Sequence, residues 1–109
     1  MKYCKLEIYV PETHAEAVRH AIAGAGAGKL GNYDSCCWTT SGTGRFRPLA
    51  DSKPFLGTPG TVEEVPEMKI EALCAAADLR AVIAAMREAH PYETPAFQFW
   101  PVGISEKEL

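Results

Sequence analysis

A chain of 109 residues, 47% hydrophobic and 23% charged, has the size of one domain with a single core. Its formal net charge of −3 excludes the basic surface that general nucleic-acid binding requires. No apolar run is long enough to span a bilayer, so neither nucleic acid nor a membrane is an expected partner.

The chain opens with Met1-Lys2-Tyr3-Cys4 and passes directly into an alternating pattern. A signal peptide would show a continuous apolar stretch there, so a cytoplasmic protein is expected. Over residues 2–10, Cys4, Leu6, Ile8 and Val10 share one phase and Lys5, Glu7 and Tyr9 the other, which predicts a half-buried strand. Pro11 ends it. Thr13-His14-Ala15-Glu16 reads as a capping box, with Thr13 as N-cap and Glu16 reaching back. The helix runs to about Ala23 with Ala17, Val18, Ala21 and Ile22 on its apolar face, and it closes in the glycine-rich run Gly24 to Gly28.

Gly31-Asn32 is a turn signal, and Tyr33 to about Thr40 is rich in strand formers. Residues 41–61 read as a long loop holding several glycines and prolines with Arg45, Arg47 and Lys53. Loops of that length are uncommon without a function. Glu64 to about Ala75 predicts another strand, with Met68, Ile70, Ala72 and Cys74 in one phase. Asp78 offers an N-cap for a helix over 79–89, whose Leu79, Val82, Ile83 and Met86 repeat at helical spacing. His90 precedes a proline, which disfavours further helix. Residues 96–102 predict the last strand, with Pro101 marking an edge or an end.

The order β-α-β-β-α-β predicts an α+β fold, a ferredoxin-like sandwich of one antiparallel sheet with both helices on one face. Residues 1–109 form a single domain on this reading. Tyr9, Trp38 and Trp100 add apolar bulk that two helices do not cover, which predicts a subunit interface and a homo-oligomer, a dimer or a trimer.

Cys4, Cys36, Cys37 and Cys74 lack a C-x-x-C spacing. On a strand, adjacent Cys36 and Cys37 would face opposite sides, a poor geometry for one zinc. Reduced, mostly buried thiols are expected.

Four segments together resemble one family. They are Gly24-Ala25-Gly26-Ala27-Gly28-Lys29-Leu30-Gly31-Asn32-Tyr33-Asp34, Gly42-Thr43-Gly44-Arg45-Phe46-Arg47-Pro48, the stretch from Pro54 through Gly57 to Glu67, and His90-Pro91-Tyr92-Glu93. They resemble, in order, the inserted domain of the Nif-three-like (YqfO type) proteins. That domain is itself similar to the CutA and PII proteins, trimeric ferredoxin-like folds, and CutA also carries a His-Pro-Tyr-Glu segment before its last strand. Full-length members have a larger domain with a dinuclear metal centre split around the insert. Nothing here corresponds to it, so the resemblance implies a stand-alone insert domain and carries over no metal-dependent hydrolysis.

Three candidate chemistries remain. Nucleophilic catalysis needs a base beside an activated Ser or Cys, and no spacing ties His14, His20 or His90 to Ser35, Cys36 or Cys37, so catalysis is not expected. His90 and Glu93 are suitable ligands for a divalent metal, zinc or copper, and Cys36 or Cys37 could join them in three dimensions. The resemblance to CutA, linked with divalent-cation tolerance, favours that reading. Against it, His90 and Glu93 could simply end the helix and accept backbone bonds. Gly42, Gly44, Arg45 and Arg47 could cradle an anion with backbone N–H groups and guanidinium forks, as a loop in a similar place does in PII-like proteins. Glycines that merely shape a hairpin are the plainer explanation.

The sequence therefore predicts a non-catalytic small-ligand-binding or regulatory module. The alternatives are a CutA-like divalent-metal protein and a structural module that acts on a protein partner through oligomerisation.

Overall fold

Cys4, Leu6, Ile8 and Val10 do lie on the core side of the first strand, and Val18, Ile22, Val82 and Met86 from two helices close over them. The computed structural model describes residues 2–109. Its main elements are β1 (Tyr3–Pro11), α1 (Ala15–Gly24), β2 (Trp38–Phe46), β3 (Glu63–Ala75), α2 (Leu79–Ala89) and β4 (Ala96–Val102). The sheet has four strands in the order β2-β3-β1-β4, and all neighbours are antiparallel. This is the α+β ferredoxin-like arrangement that the element order predicts. Ile70, Ala72 and Cys74 of β3 complete the core on the helical side. Burial of this aliphatic layer is the main stabilising term, at roughly 1.5–3 kcal/mol for each fully buried large side chain.

Three local expectations need correction. Thr13 does not cap α1. Residues Glu12–His14 form a 3-10 turn, and the helix starts after His14 with no side-chain cap bond. The Thr13 hydroxyl instead meets His14 Nδ1 at 2.8 Å, and Glu16 turns to Arg19. Asp78 likewise closes a 3-10 turn, Ala76–Asp78, without a side-chain cap bond.

The second strand begins later and runs further than its sequence suggests. Leu30 and Tyr33 exchange backbone hydrogen bonds of 2.9 Å, which close a tight turn. Ser35 then sits at φ 58°, in the left-handed region, so extended chain cannot start before it. Cys36 and Cys37 consequently lie in a loop and are exposed, while Cys4 and Cys74 are buried. At the other end, Ser41 to Phe46 continue the strand because each pairs with β3, from Ser41 opposite Met68 to Phe46 opposite Glu63. Pairing overrides the weak strand preference of glycine here. The long loop shrinks to residues 47–62.

Gly28 stitches the loop after α1 to the sheet. Its N–H donates to the Leu73 carbonyl at 2.7 Å, and its own carbonyl accepts from Cys36 N–H at 3.0 Å. With φ at +83° and the Cys36 backbone where a Cβ would stand, only glycine fits.

The sheet face away from the helices is charged at its centre. Lys5 pairs with Glu71 at 3.6 Å, and Lys69 bridges Glu7 and Glu71 at 3.7 Å each. Trp38 on edge strand β2 is 68% exposed, and Trp100 on edge strand β4 is 40% exposed. The surplus aromatic surface is thus on the margins, with Tyr9 half-buried between. Among the described residues, no helix is long and apolar enough to cross a membrane.

Candidate functional site

The chain leaves α2 at Ala89, and His90 adopts φ −79°, ψ 133°, the extended backbone that Pro91 imposes on its predecessor. That turn drives the His90 ring inward, where it is buried. Its Nε2 lies 2.7 Å from the Tyr9 carbonyl oxygen, and its Nδ1 accepts from the Tyr92 N–H at 3.2 Å. These partners place the proton on Nε2. Burial holds the imidazole below its ordinary pKa, and the bond to the Tyr9 carbonyl and the charge of Glu67 only partly oppose this.

The same turn carries Tyr92 to the open face of the sheet. Its hydroxyl donates to Glu67 Oε2 at 3.0 Å. Its ring stands edge-on to Phe46, with centroids 5.5 Å apart. Burial first, then the bond and the charge of Glu67, push the phenol well above its usual pKa. One residue on, Glu93 Oε1 accepts from the Lys53 N–H at 2.9 Å. His90-Pro91-Tyr92-Glu93 therefore ties together β1, β3 and the 47–62 loop.

Beneath that loop lies a cleft of about 470 Å3, within the size range of small-molecule sites. Its walls are largely aromatic and proline surface, from Phe46, Phe55, Tyr92, Pro48 and Pro54, and Glu67 lies in its floor. Glu67 is 9% exposed, unusual for a glutamate. Its carboxylate rests against Gly44 on the neighbouring strand, in the space a Cβ would fill.

Of the residues singled out from sequence, the cleft brings together Gly44, Arg45 and Glu93. Gly42 lines a smaller adjoining depression, and Arg47 lines neither. Arg45 donates to Glu64 Oε1 at 3.1 Å, with both side chains largely exposed. On a paired strand, successive N–H groups alternate in direction, so Gly42 to Gly44 do not form the concave run of donors that an anion cradle uses. His90 has both ring nitrogens engaged, and Glu93 is held by the loop. Cys36 and Cys37 lie beside Gly28 and Leu73, near the opposite end of the sheet from the Tyr9 carbonyl. Among the described residues, no three His, Cys, Asp or Glu side chains gather as metal ligands. Sequence reasoning missed Glu67 and Phe46. Glu67 sits on the solvent-side phase of its strand, and only the register opposite Gly42, with Gly44 beside it and Tyr92 bonded to it, shows that it is covered.

No family model matches the chain. Curated relatives do. A GTP cyclohydrolase 1 type 2 homolog of Halalkalibacterium halodurans is 44% identical over 105 residues, which are 96% of this chain and 28% of that protein. The Bacillus subtilis protein of the same name is 43% identical over 104 residues, 95% of this chain and 28% of its own length. The crystal structure of a Bacillus cereus protein related to NIF3 superposes with a TM-score of 0.80 at 42% identity, over 92% of this chain and 25% of that one. The chain belongs to the Nif-three-like family. It spans about a quarter of the length of the family members it matches. The fold of this Nif-three-like domain is shared more widely. CutA from Xylella fastidiosa gives a TM-score of 0.71 at 16% identity, over 99% of this chain and 90% of that one.

Proposed function

We propose that this Nif-three-like domain is a non-catalytic small-ligand-binding module whose site is the cleft beneath the 47–62 loop. The cleft itself carries the reading: about 470 Å3 of largely apolar space with a buried carboxylate in its floor. Apolar walls with a few placed polar groups are the usual make-up of a small-molecule site. Gly44, Arg45 and Glu93 join it as lining residues, and Tyr92 and Glu67 give it a fixed polar feature. The relatives that carry the name GTP cyclohydrolase 1 type 2 homolog are about four times this length, and this chain matches 28% of the Halalkalibacterium halodurans protein.

The test is a thermal-shift screen of nucleotides, metabolites and divalent metals on the wild type and on Gly44→Val. A ligand at ~100 times its Kd stabilises the folded state by about 2.7 kcal/mol. At least one compound should raise the wild-type Tm and fail to raise that of Gly44→Val, whose side chain displaces Glu67. No shift with any compound counts against the proposal.

Self-association is a second reading, supported by Trp38 and Trp100, which stay exposed on the two edge strands of the same sheet face. Sedimentation velocity tests it. A dimer or trimer is expected, and a monomer at high concentration removes the reading.

A further inference from the structure

Taking the cleft as the ligand site, we infer that it selects small organic cations, an ammonium or guanidinium group on an apolar or planar body. The floor supplies the anchor. Glu67 Oε2 is occupied by the Tyr92 hydroxyl. Among the described residues, no donor is bonded to Oε1, although the residue is only 9% exposed. A carboxylate held in place by one hydrogen bond, with its second oxygen unengaged, is prepared to accept a charge-assisted bond from a ligand N–H.

The other charges point the same way. Arg45, the cationic side chain of the lining, is already paired with Glu64 at the rim. Glu93 adds a second carboxylate, of which one oxygen holds the loop. An anion would therefore have to approach Glu67 against its charge in a partly desolvated site. A divalent metal would find too few oxygens, since calcium takes six to eight and magnesium six. The walls suit an organic cation better. Phe46 and Tyr92 stand edge to face beside the floor, and Phe55 leans over the mouth, braced by His14 at a centroid distance of 5.3 Å. Aromatic faces attract ammonium and guanidinium groups and also pack against their apolar bodies.

A charge series of similar shape tests this: benzylamine, benzyl alcohol and benzoate, with magnesium and zinc chloride beside them, each titrated calorimetrically into the wild-type chain at neutral pH. Benzylamine should bind at least ~10-fold more tightly than the alcohol or the acid, as a charge-assisted hydrogen bond allows. Glu67→Gln keeps an oxygen for Tyr92 and removes the charge, and the preference should vanish in it. If that variant does not fold, the wild-type ratio and its weakening with added salt decide. Equal or tighter binding of benzyl alcohol or benzoate overturns the cation preference and leaves the cleft as a ligand site. Binding of a metal with no amine bound overturns it too. No binding of any organic probe up to its solubility limit overturns both the preference and the cleft reading.

Discussion

The Tyr92 hydroxyl and the Glu67 carboxylate meet at 3.0 Å, joining the turn after α2 to the inner strand β3. Glu67 could not lie flat there if its neighbour on β2 carried a side chain, and that neighbour is Gly44. A glycine, a tyrosine and a glutamate from three distant stretches of sequence thus define one floor.

Replacing Tyr92 by Phe removes a hydrogen bond to a charged group, a change worth about 1–2 kcal/mol at a half-buried site. Urea unfolding should show a loss of that size with an unchanged slope. The phenol pKa is raised in the folded state, so its contribution is complete below the unfolded value near 10 and is lost as pH climbs beyond it. In a spectrophotometric titration the Tyr92 phenol should ionise above its ordinary range. A Tyr92→Phe variant with the same late-titrating phenol as the wild type would disprove the assignment.

His90 is buried neutral with its pKa lowered from 6.5. The unfolded chain therefore takes up this proton first, and stability falls as pH drops below about 6.5 until the folded pKa is reached. The titratable groups acting on the ring are Glu67, which favours the charged form, and His14, which opposes it. His90→Gln should be less stable at pH 7.5 yet lose less stability on acidification to about pH 5. A parallel pH profile for the two proteins would contradict this.

The thiols should separate into two classes. Cys36 and Cys37 are exposed, and Cys4 and Cys74 are buried. Burial, followed by the charges of Asp78 and Cys4, raises the Cys74 pKa and leaves it less thiolate. Iodoacetamide at neutral pH should label Cys36 and Cys37 in native protein and reach the other pair only after denaturation. Mass spectrometry of the peptides reads the outcome, and rapid native labelling of Cys74 would refute it.

Two glycine substitutions should behave oppositely. Gly28→Ala meets both a positive φ and the Cys36 backbone and should cost about 2 kcal/mol or more. Gly24→Ala lies at the end of α1, with nothing within 4 Å of the added carbon, and should be neutral or stabilising by up to about 1 kcal/mol. Thermal unfolding of the pair checks both signs.

The alternation of Cys4 to Val10 and the helical spacing of Leu79 to Met86 reported the core directly, because periodicity is a local record of burial. The order of elements then left one economical topology. The extent of β2 was hidden because Ser41 to Gly44 are held extended by β3 rather than by their own preference. His90-Pro91-Tyr92-Glu93 was visible as a turn, but its partners were not. Tyr9, Lys53 and Glu67 lie 81, 40 and 25 residues from their bonded partners, His90, Glu93 and Tyr92. Arg45 and Arg47 drew attention to an anion because arginine in a glycine-rich loop suggests one, whereas register sets Arg45 beside Glu64.

The most direct test of the account is amide-resolved NMR of the isotopically labelled chain during titration with a fragment library containing amines, acids and neutral compounds. A ligand site in the cleft should give hits whose shift changes centre on Gly44, Phe46, Lys53, Glu67 and Tyr92, the residues around the cleft floor and its loop. Hits that instead perturb the opposite end of the sheet, around Gly28, Cys36 and Trp38, or a library with no hits, would contradict it.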